Sequence, residues 1–257
     1  MTSVHEVTRA IARRPTRNAG DGLTSANLGA PDVERMCAQH ARYVSILESL
    51  GVEVTVIDGD EAYPDGCFVE DTAVVTPEVA VLTRPGAPSR RGEVDAIEPL
   101  LAEHRLLERI VAPGTVDGGD VLVVGERVLI GLSARTNNAG AGQLREILET
   151  RGRRCIIVPA GEGLHLKSSV NALGADRLLV TQAFADCDVL DGFERVVVPA
   201  GESYAGNSLW LNDRAIVPAG FPATRSLIEA LGADVVEIDV GEFRKMDGGL
   251  TCLSIRL

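Results

Sequence analysis

The sequence predicts a mixed α/β fold made from one repeated unit: a β-hairpin, then a helix, then a strand. Two observations carry this expectation. Pairs of short apolar runs, each split by turn residues, recur along the chain, and most pairs precede a helical stretch and a further apolar run. The unit length of about 45–50 residues lies in the range of radial and solenoid repeats. No low-complexity linker interrupts the 257 residues, so the chain reads as one domain, 1–257. An ordinary α/β sandwich of the same elements is the alternative.

In order along the chain, a helix is expected over 33–50, opened by Pro31-Asp32 and stopped by Gly51, with a strand over 52–57. A hairpin follows: 68–75, a turn at Thr76-Pro77-Glu78, and 79–83. A helix over 91–105 and a strand at 110–111 complete that unit. The next unit has strands 120–124 and 128–132 around Gly125-Glu126, a helix over 138–151 and a strand over 155–158. Then come 164–172, 178–182, an irregular segment where a helix would fall, and 196–198. The fourth unit has 208–212 with 215–217, a helix over 223–231 ended by Gly232, and a strand over 235–240. A fifth unit can be assembled only from both ends of the chain. It takes a strand over 250–257, a strand over 7–13, the 33–50 helix and the 52–57 strand. Closure by both termini removes exposed sheet edges.

Composition narrows the function. Acidic residues number 37 and basic residues 25, for a net charge of −12, which disfavours nucleic-acid backbones and suits a small cation. No run approaches the roughly 18 apolar residues of a membrane span, and the first residues lack the apolar run of a signal peptide. The five cysteines are scattered with no C-x-x-C, which argues against a disulfide framework or structural zinc. A cytoplasmic protein without metal or organic cofactor is expected.

Of the four histidines, His5 is near a terminus, and His40 and His104 are expected on helix surfaces. His165 lies between leucines after Gly161-Glu162-Gly163, a setting that fits a buried core residue as well as a catalyst. Cys37, Cys155 and Cys187 read as small buried hydrophobes or inert thiols. Cys252 follows Gly248-Gly249 and is expected at the start of the last strand, near a loop mouth. One cysteine with a sequence-distant histidine is the arrangement a thiol nucleophile uses. Carboxylates cluster at Asp65, Glu70 and Asp71 and again at Asp117 and Asp120. Asp-Gly-Gly occurs twice, at 117–119 and 247–249. In a ring of repeats, equivalent loops converge on the axis, which would gather Glu70, Asp71, Asp117, His165 and Cys252 into an anionic pocket suited to a guanidinium. Arg84 and Arg91 read as solvated surface charge, whereas a two-point grip on a carboxylate is within the reach of any arginine.

Seven segments, 64–75, 83–93, 112–120, 130–137, 164–168, 201–207 and 244–254, stand in order at compatible spacing. Together they resemble the dimethylarginine dimethylaminohydrolase family, within the guanidino-group-modifying superfamily of arginine deiminases and amidinotransferases. The resemblance runs from about residue 14 to the C-terminus. It implies a five-bladed α/β propeller of ββαβ modules, pentein-like, closed by the N- and C-terminal segments. It also implies hydrolysis of N-omega-methylated arginines to L-citrulline and an amine. By resemblance, Cys252 is the nucleophile, His165 the general acid and base, and Asp117 its orienting carboxylate, a position where some relatives carry Glu. Asp71, helped by Glu70, would bind the guanidinium. Asp65, with backbone at Leu23 and Met246, would surround the α-amino group, and Arg90 with Arg135 would bind the α-carboxylate. Leu23 lies in a segment expected to act as a lid, and Met246 stands where relatives usually carry Ile or Val. The partner is then a small guanidino amino acid, with no cofactor, and a homodimer fits the expectation. A deiminase acting on unmethylated arginine, a non-catalytic amino-acid-binding protein, and a zinc protein using Cys252 and His165 are the competing readings.

Overall fold

The computed structural model describes residues 6–159 and 163–257, and these form five three-stranded sheets. The first strand in sequence is β1 (Arg9–Arg13), followed by helix α1 (Val33–Ser49) and β2 (Glu53–Ile57). The second sheet holds β3 (Ala73–Val75), β4 (Ala80–Leu82) and, after the short helix α2 (Glu98–Ala102), β5 (Leu107–Arg109). The third holds β6 (Val121–Val124), β7 (Arg127–Gly131) and, beyond α3 (Asn138–Glu149), β8 (Arg154–Val158). The fourth is β9 (Val170–Ala172), β10 (Arg177–Val180) and β11 (Glu194–Val197), linked by 3-10 turns instead of a helix. The fifth is β12 (Leu209–Leu211), β13 (Arg214–Pro218) and, after α4 (Pro222–Ala230), β14 (Asp234–Ile238). Helix α5 (Gly241–Arg244) leads to β15 (Ile255–Arg256), which pairs with β1.

Every sheet has the same order and sense. The first strand is antiparallel to the second, and the second is parallel to the third. A parallel pair needs a crossover, which is the place the helix or the 3-10 turns occupy. The terminal sheet completes the set from both chain ends, with Ala10 opposite Arg256 and Ala10 again beside Val54. Five separate sheets exclude the sandwich. Neighbouring first strands touch, β9 against both β6 and β12 and β15 against β3, so these strands face a common axis.

The core lies between sheets, and strand periodicity explains it. Successive side chains point to opposite faces of a strand. On β7, Val128 and Ile130 pack with Leu144 and Leu148 of α3, while Leu129 packs with Leu178 and Val180 of the next sheet. On β10, Leu179 turns away again, toward Ala215 and Val217. Both faces of a middle strand are buried, so it reads as a continuous apolar run. Leu129→Ala should therefore cost about 2–5 kcal/mol.

Several expected boundaries shift for one reason. Each first strand is preceded by a 3-10 turn: Val69–Thr72, Gly118–Asp120, Leu166–Ser168, Ser203–Gly206 and Thr251–Leu253. The strands expected over 68–75, 164–172 and 250–257 are thus turn first and strand second. Alternating apolar and polar residues mimic a strand there, but five chains converge on the axis and each must bend sharply to enter its sheet. Cys252 consequently sits in a turn and not at a strand start. The helix expected over 91–105 is a 3-10 stretch, Pro88–Ala96, followed by α2, and the strand expected at 110–111 lies at 107–109.

Helix α1 corrects two further expectations. His40 is buried, on the face shared with Met36, Tyr43 and Leu47, and Cys37 is exposed on the other side. The helical spacing from Met36 to His40 carries the histidine inward, however polar its neighbours in sequence. His104 is half-buried, with Nδ1 3.2 Å from Arg9 Nη1. His5 and the Gly161-Glu162 pair lie outside the described residues. No described helix is long and apolar enough to cross a membrane.

Candidate active site

The 3-10 turns pack around the axis: Val69–Thr72 touches Thr251–Leu253 and Gly118–Asp120, and Leu166–Ser168 touches Gly118–Asp120 and Ser203–Gly206. Most of the expected chemistry sits on or beside these turns. Glu70 and Asp71 are within the first, Asp117 and His165 immediately precede the second and third, and Cys252 is within the last. Close approach of the turns requires Gly119. A Cβ there would lie 2.6 Å from His165 Nδ1 and 2.9 Å from Asp71 Oδ1.

One narrow cavity gathers eight of the ten expected residues. Cys252, His165 and Asp71 lie beside Leu23, Asp65, Arg90, Arg135 and Met246, with Phe68 and Leu164 as apolar walls. Cys252 is half-buried, and Leu23 is exposed at the mouth. The other two expected residues stand behind the cavity. Asp117 is fully buried behind His165, with Oδ2 3.0 Å from Nε2. Its other oxygen, Oδ1, accepts the Gly86 N–H at 2.8 Å, and its own N–H donates to Thr136 Oγ1 at 3.1 Å. Glu70 lies behind Cys252 and lines a separate axial cavity of about 310 Å³. Its Oε1 accepts from Lys167 Nζ and Arg256 Nη2, both at 2.6 Å, and its Oε2 is buried without a partner among the described residues.

Electrostatics assign opposite charge states to the central pair. Burial pushes the Cys252 thiol up to about 12, and Glu70 and Asp71 add to the rise. The thiol is therefore neutral in the empty site. Burial opposes the His165 imidazolium, but Asp71, the Asp117 hydrogen bond and Asp120 outweigh it and raise the ring to about 9. Asp117 shows the converse. Burial disfavours its charge, yet the His165 bond and the Gly86 N–H hold it below the ordinary carboxylate range. Asp71 Oδ1 lies 3.9 Å from His165 Nε2 and accepts the Gly119 N–H at 2.9 Å.

The two arginines differ. Arg90 grips Glu93 with Nε and Nη2 at 2.9 and 2.8 Å and Asp71 Oδ2 with Nη1 at 2.6 Å, and Nη2 also donates to Phe68 O at 3.1 Å. Only one Nη1 hydrogen remains free of these contacts. Arg135 Nη1 has no hydrogen-bond partner among the described residues, although its nitrogen is buried, and it stands 3.8 Å from Asp117 Oδ2. A buried donor without a partner is costly unless a ligand completes it.

Asp65 binds the Leu23 segment. Its Oδ1 and Oδ2 accept the Leu23 N–H at 3.0 and 3.2 Å. Burial raises its carboxyl above the ordinary range despite Arg90 and that bond, so a bound ammonium would relieve it. Sequence reasoning missed Asp247 and Asn207. Asp247 Oδ2 accepts the Ser25 N–H and hydroxyl at 2.5 and 2.9 Å and ties the Leu23 segment to the loop before Cys252. Asn207 brackets Thr251, accepting its N–H and donating to its hydroxyl, both at 3.1 Å. The partners are 222 and 44 residues apart in the chain. Asp247 opens the second Asp-Gly-Gly and Asn207 ends the 201–207 segment, but neither pattern showed what the side chain would bind.

Asp71, Asp117 and His165 offer one ligand atom each within 4.8 Å of one another, enough to be considered for a metal. The Arg90 guanidinium already bonds Asp71, and the imidazole bonds Asp117, so the positive charge these carboxylates can hold is supplied by side chains.

Known proteins share this sequence and fold. A family profile described as N,N dimethylarginine dimethylhydrolase, eukaryotic, matches residues 30–195. The dimethylarginine dimethylaminohydrolase of Pseudomonas aeruginosa is 44% identical over 96% of this chain and 98% of its own. That of Streptomyces coelicolor is 38% identical over 97% and 96%. A Cys-to-Ser variant of the Pseudomonas enzyme, solved with citrulline, superposes with a TM-score of 0.96 at 42% identity, covering 98% of this chain and 100% of that one. The N-terminal domain of the arginine dihydrolase ArgZ shares the fold at a TM-score of 0.88 and 18% identity, covering 98% and 97%. Matched along nearly its whole length, the chain belongs to the dimethylarginine dimethylaminohydrolase family.

Proposed function

We propose that the protein hydrolyses asymmetric dimethylarginine and monomethylarginine to L-citrulline and dimethylamine or methylamine, with residues 1–257 acting as one catalytic unit. The observation that carries this reading is the polarity of the narrow cavity lined by Cys252 and His165. A neutral thiol, a cationic imidazole and a carboxylate line it together with Arg135, whose Nη1 is unpartnered among the described residues. An arginine derivative presents the complementary charges: a guanidinium for Asp71, an α-amino group for Asp65, and an α-carboxylate for Arg135 and the remaining Nη1 hydrogen of Arg90. Glu70, behind the thiol, acts through its charge and not by contact.

The chemistry follows from the charge states. A thiol raised to about 12 cannot attack by itself at neutral pH. The bound guanidinium brings positive charge beside it and favours thiolate, the thiol proton passing to solvent water. Sulfur bonds to the guanidinium carbon, and the imidazolium of His165 gives its proton to the methylated nitrogen, which leaves as neutral amine when the C–N bond breaks. A thiouronium on Cys252 remains. The now neutral His165 takes a proton from water, and oxygen bonds to carbon. The C–S bond breaks while the remaining hydroxyl proton passes to the departing sulfur, releasing L-citrulline and restoring the thiol. Asp117 keeps the ring oriented through both steps. The Leu23 segment, held by Asp65 and Asp247, excludes water while the intermediate forms.

Incubating the purified protein with asymmetric dimethylarginine and measuring citrulline and dimethylamine tests the activity. Cys252→Ser should reduce both to background while the thermal transition persists. Acid quenching of wild type should place the adduct on the peptide holding Cys252. An adduct on Cys37, Cys67, Cys155 or Cys187, or turnover by the serine variant, would overturn the assignment. Arginine run in parallel separates this activity from a deiminase. A cytoplasmic homodimer is part of the proposal, read by cell fractionation and light scattering.

A further inference from the structure

We infer that Asp120 is a positioning residue that ties the turn carrying His165 to the turn carrying Arg135, so that acid catalysis and carboxylate binding share one internal brace. The inference rests on the roles proposed above for His165 and Arg135. Asp120 is fully buried and divides its two oxygens between the two turns. Oδ1 accepts the Leu166 N–H at 2.9 Å, next to His165. Oδ2 accepts the Ser133 hydroxyl at 2.6 Å. That hydroxyl oxygen in turn accepts the N–H of Arg135 at 2.9 Å and of Thr136 at 3.1 Å. Thr136 Oγ1 receives the N–H of Asp117, the residue that orients His165. A continuous chain of hydrogen bonds thus runs from the His165 turn through Asp120 and Ser133 to Arg135.

Charge makes this brace more than a packing contact. Among the described residues no Lys or Arg forms an ion pair with Asp120, and a buried carboxylate without a cation is costly. The cation that faces it is His165, whose imidazolium Asp120 helps to stabilise together with Asp71 and Asp117. Cys252, Asp65, Arg90, Arg135 and Asp247 are the other ionisable groups lining the cavity His165 faces, and Lys167 and Tyr204 line the pocket beside it.

The test compares Asp120→Asn, Ser133→Ala and the double variant on asymmetric dimethylarginine and on N,N-dimethylguanidine, which lacks the carboxylate. Ser133→Ala should raise KM for the amino acid about tenfold, with the loss in KM more than kcat, and affect the truncated substrate much less. Ser133→Thr, which keeps the hydroxyl, should restore most of it. Asp120→Asn should lower kcat as well, and the imidazole titration of His165, read by NMR, should move to lower pH. The double variant should be no worse in KM than the more impaired single variant, because both cut the same chain. Additive KM losses, or a lowered melting temperature with KM, kcat and the His165 titration unchanged, would overturn the brace. Should Asp120→Asn fail to fold, the Ser133→Ala and Ser133→Thr pair decides by the same KM contrast. Wild type inactive on both substrates would overturn the functional reading instead. The NMR titration and L-citrulline binding by the variants would then still decide the brace.

Discussion

His165 and His40 are both buried, and their environments drive them in opposite directions. His165 is surrounded by Asp71, Asp117 and Asp120, and burial is overcome, so the ring is raised to about 9. His40 has Arg14 nearby and Nε2 without a hydrogen-bond partner among the described residues, and burial lowers it to about 4 despite a bond to the Arg13 backbone. One histidine is charged at neutral pH and the other is not. Burial alone therefore does not make a histidine functional. The difference lies in whether carboxylates from other units are brought to the ring, and the convergence of the axial turns does that only for His165.

The sharpest way to break this contrast is to remove each ring. His165→Gln should lower kcat by about 10²–10⁴-fold, because both proton transfers lose their group. His40→Gln should leave the rate per folded molecule as in wild type and change only the melting temperature. Equal rate losses in the two variants would show that His165 acts through packing.

Next in size is the division between the arginines. Arg135→Lys keeps charge but removes two-point geometry, so kcat/KM for the free amino acid should fall about ten- to a hundredfold, or roughly 1.5–3 kcal/mol. The same change should matter little for N,N-dimethylguanidine. Arg90→Lys should impair both substrates, since Asp71 and Glu93 lose a bidentate partner buried with them. Equal behaviour of the two variants across the two substrates would refute the division.

A smaller effect is expected from Asp117→Asn. The active form carries protonated His165, so the rate should decline as pH rises through about 9. Losing the Asp117 charge weakens the support for the imidazolium, and the declining limb should move to lower pH. A limb that stays in place would separate that ionisation from His165.

The gentlest probe is the pH dependence of stability. His165 is raised above its unfolded value near 6.5, so its contribution is full below pH 6.5 and is lost as pH rises toward 9. His40 is depressed, so its contribution is full above pH 6.5 and is lost as pH falls toward 4. Each amounts to about 3 kcal/mol. In denaturant unfolding, the stability gap between wild type and His40→Gln should change only on the acid side of pH 6.5, as wild type loses stability toward pH 4. The gap between wild type and His165→Gln should change only on the alkaline side, closing as pH rises toward 9. A change on the wrong side would reverse the assigned environments.

Much of this protein was legible from its residues in order. The hairpin–helix–strand period comes from local apolar spacing and turn residues, which depend on neighbours within a few positions. The order of hairpin, crossover and strand held for all five units, including the one shared by the chain ends, with 3-10 turns in place of the helix in the unit of β9 to β11. The twin Asp-Gly-Gly segments pointed to equivalent loops, and the seven ordered segments pointed to the family. Eight of the ten expected site residues share one cavity because equivalent loops of a closed ring must meet on its axis. What only the tertiary structure decided are the matters set by distant partners. Glu70 went behind the thiol because Lys167 and Arg256, 97 and 186 residues away, hold it there. Arg90 was largely saturated by Asp71 and Glu93, leaving Arg135 with a free buried donor. His40 turned inward because α1 offered that face to the core. Local sequence sets backbone preference and periodicity, but burial, charge state and hydrogen-bond saturation are properties of groups that meet only after the ring has closed.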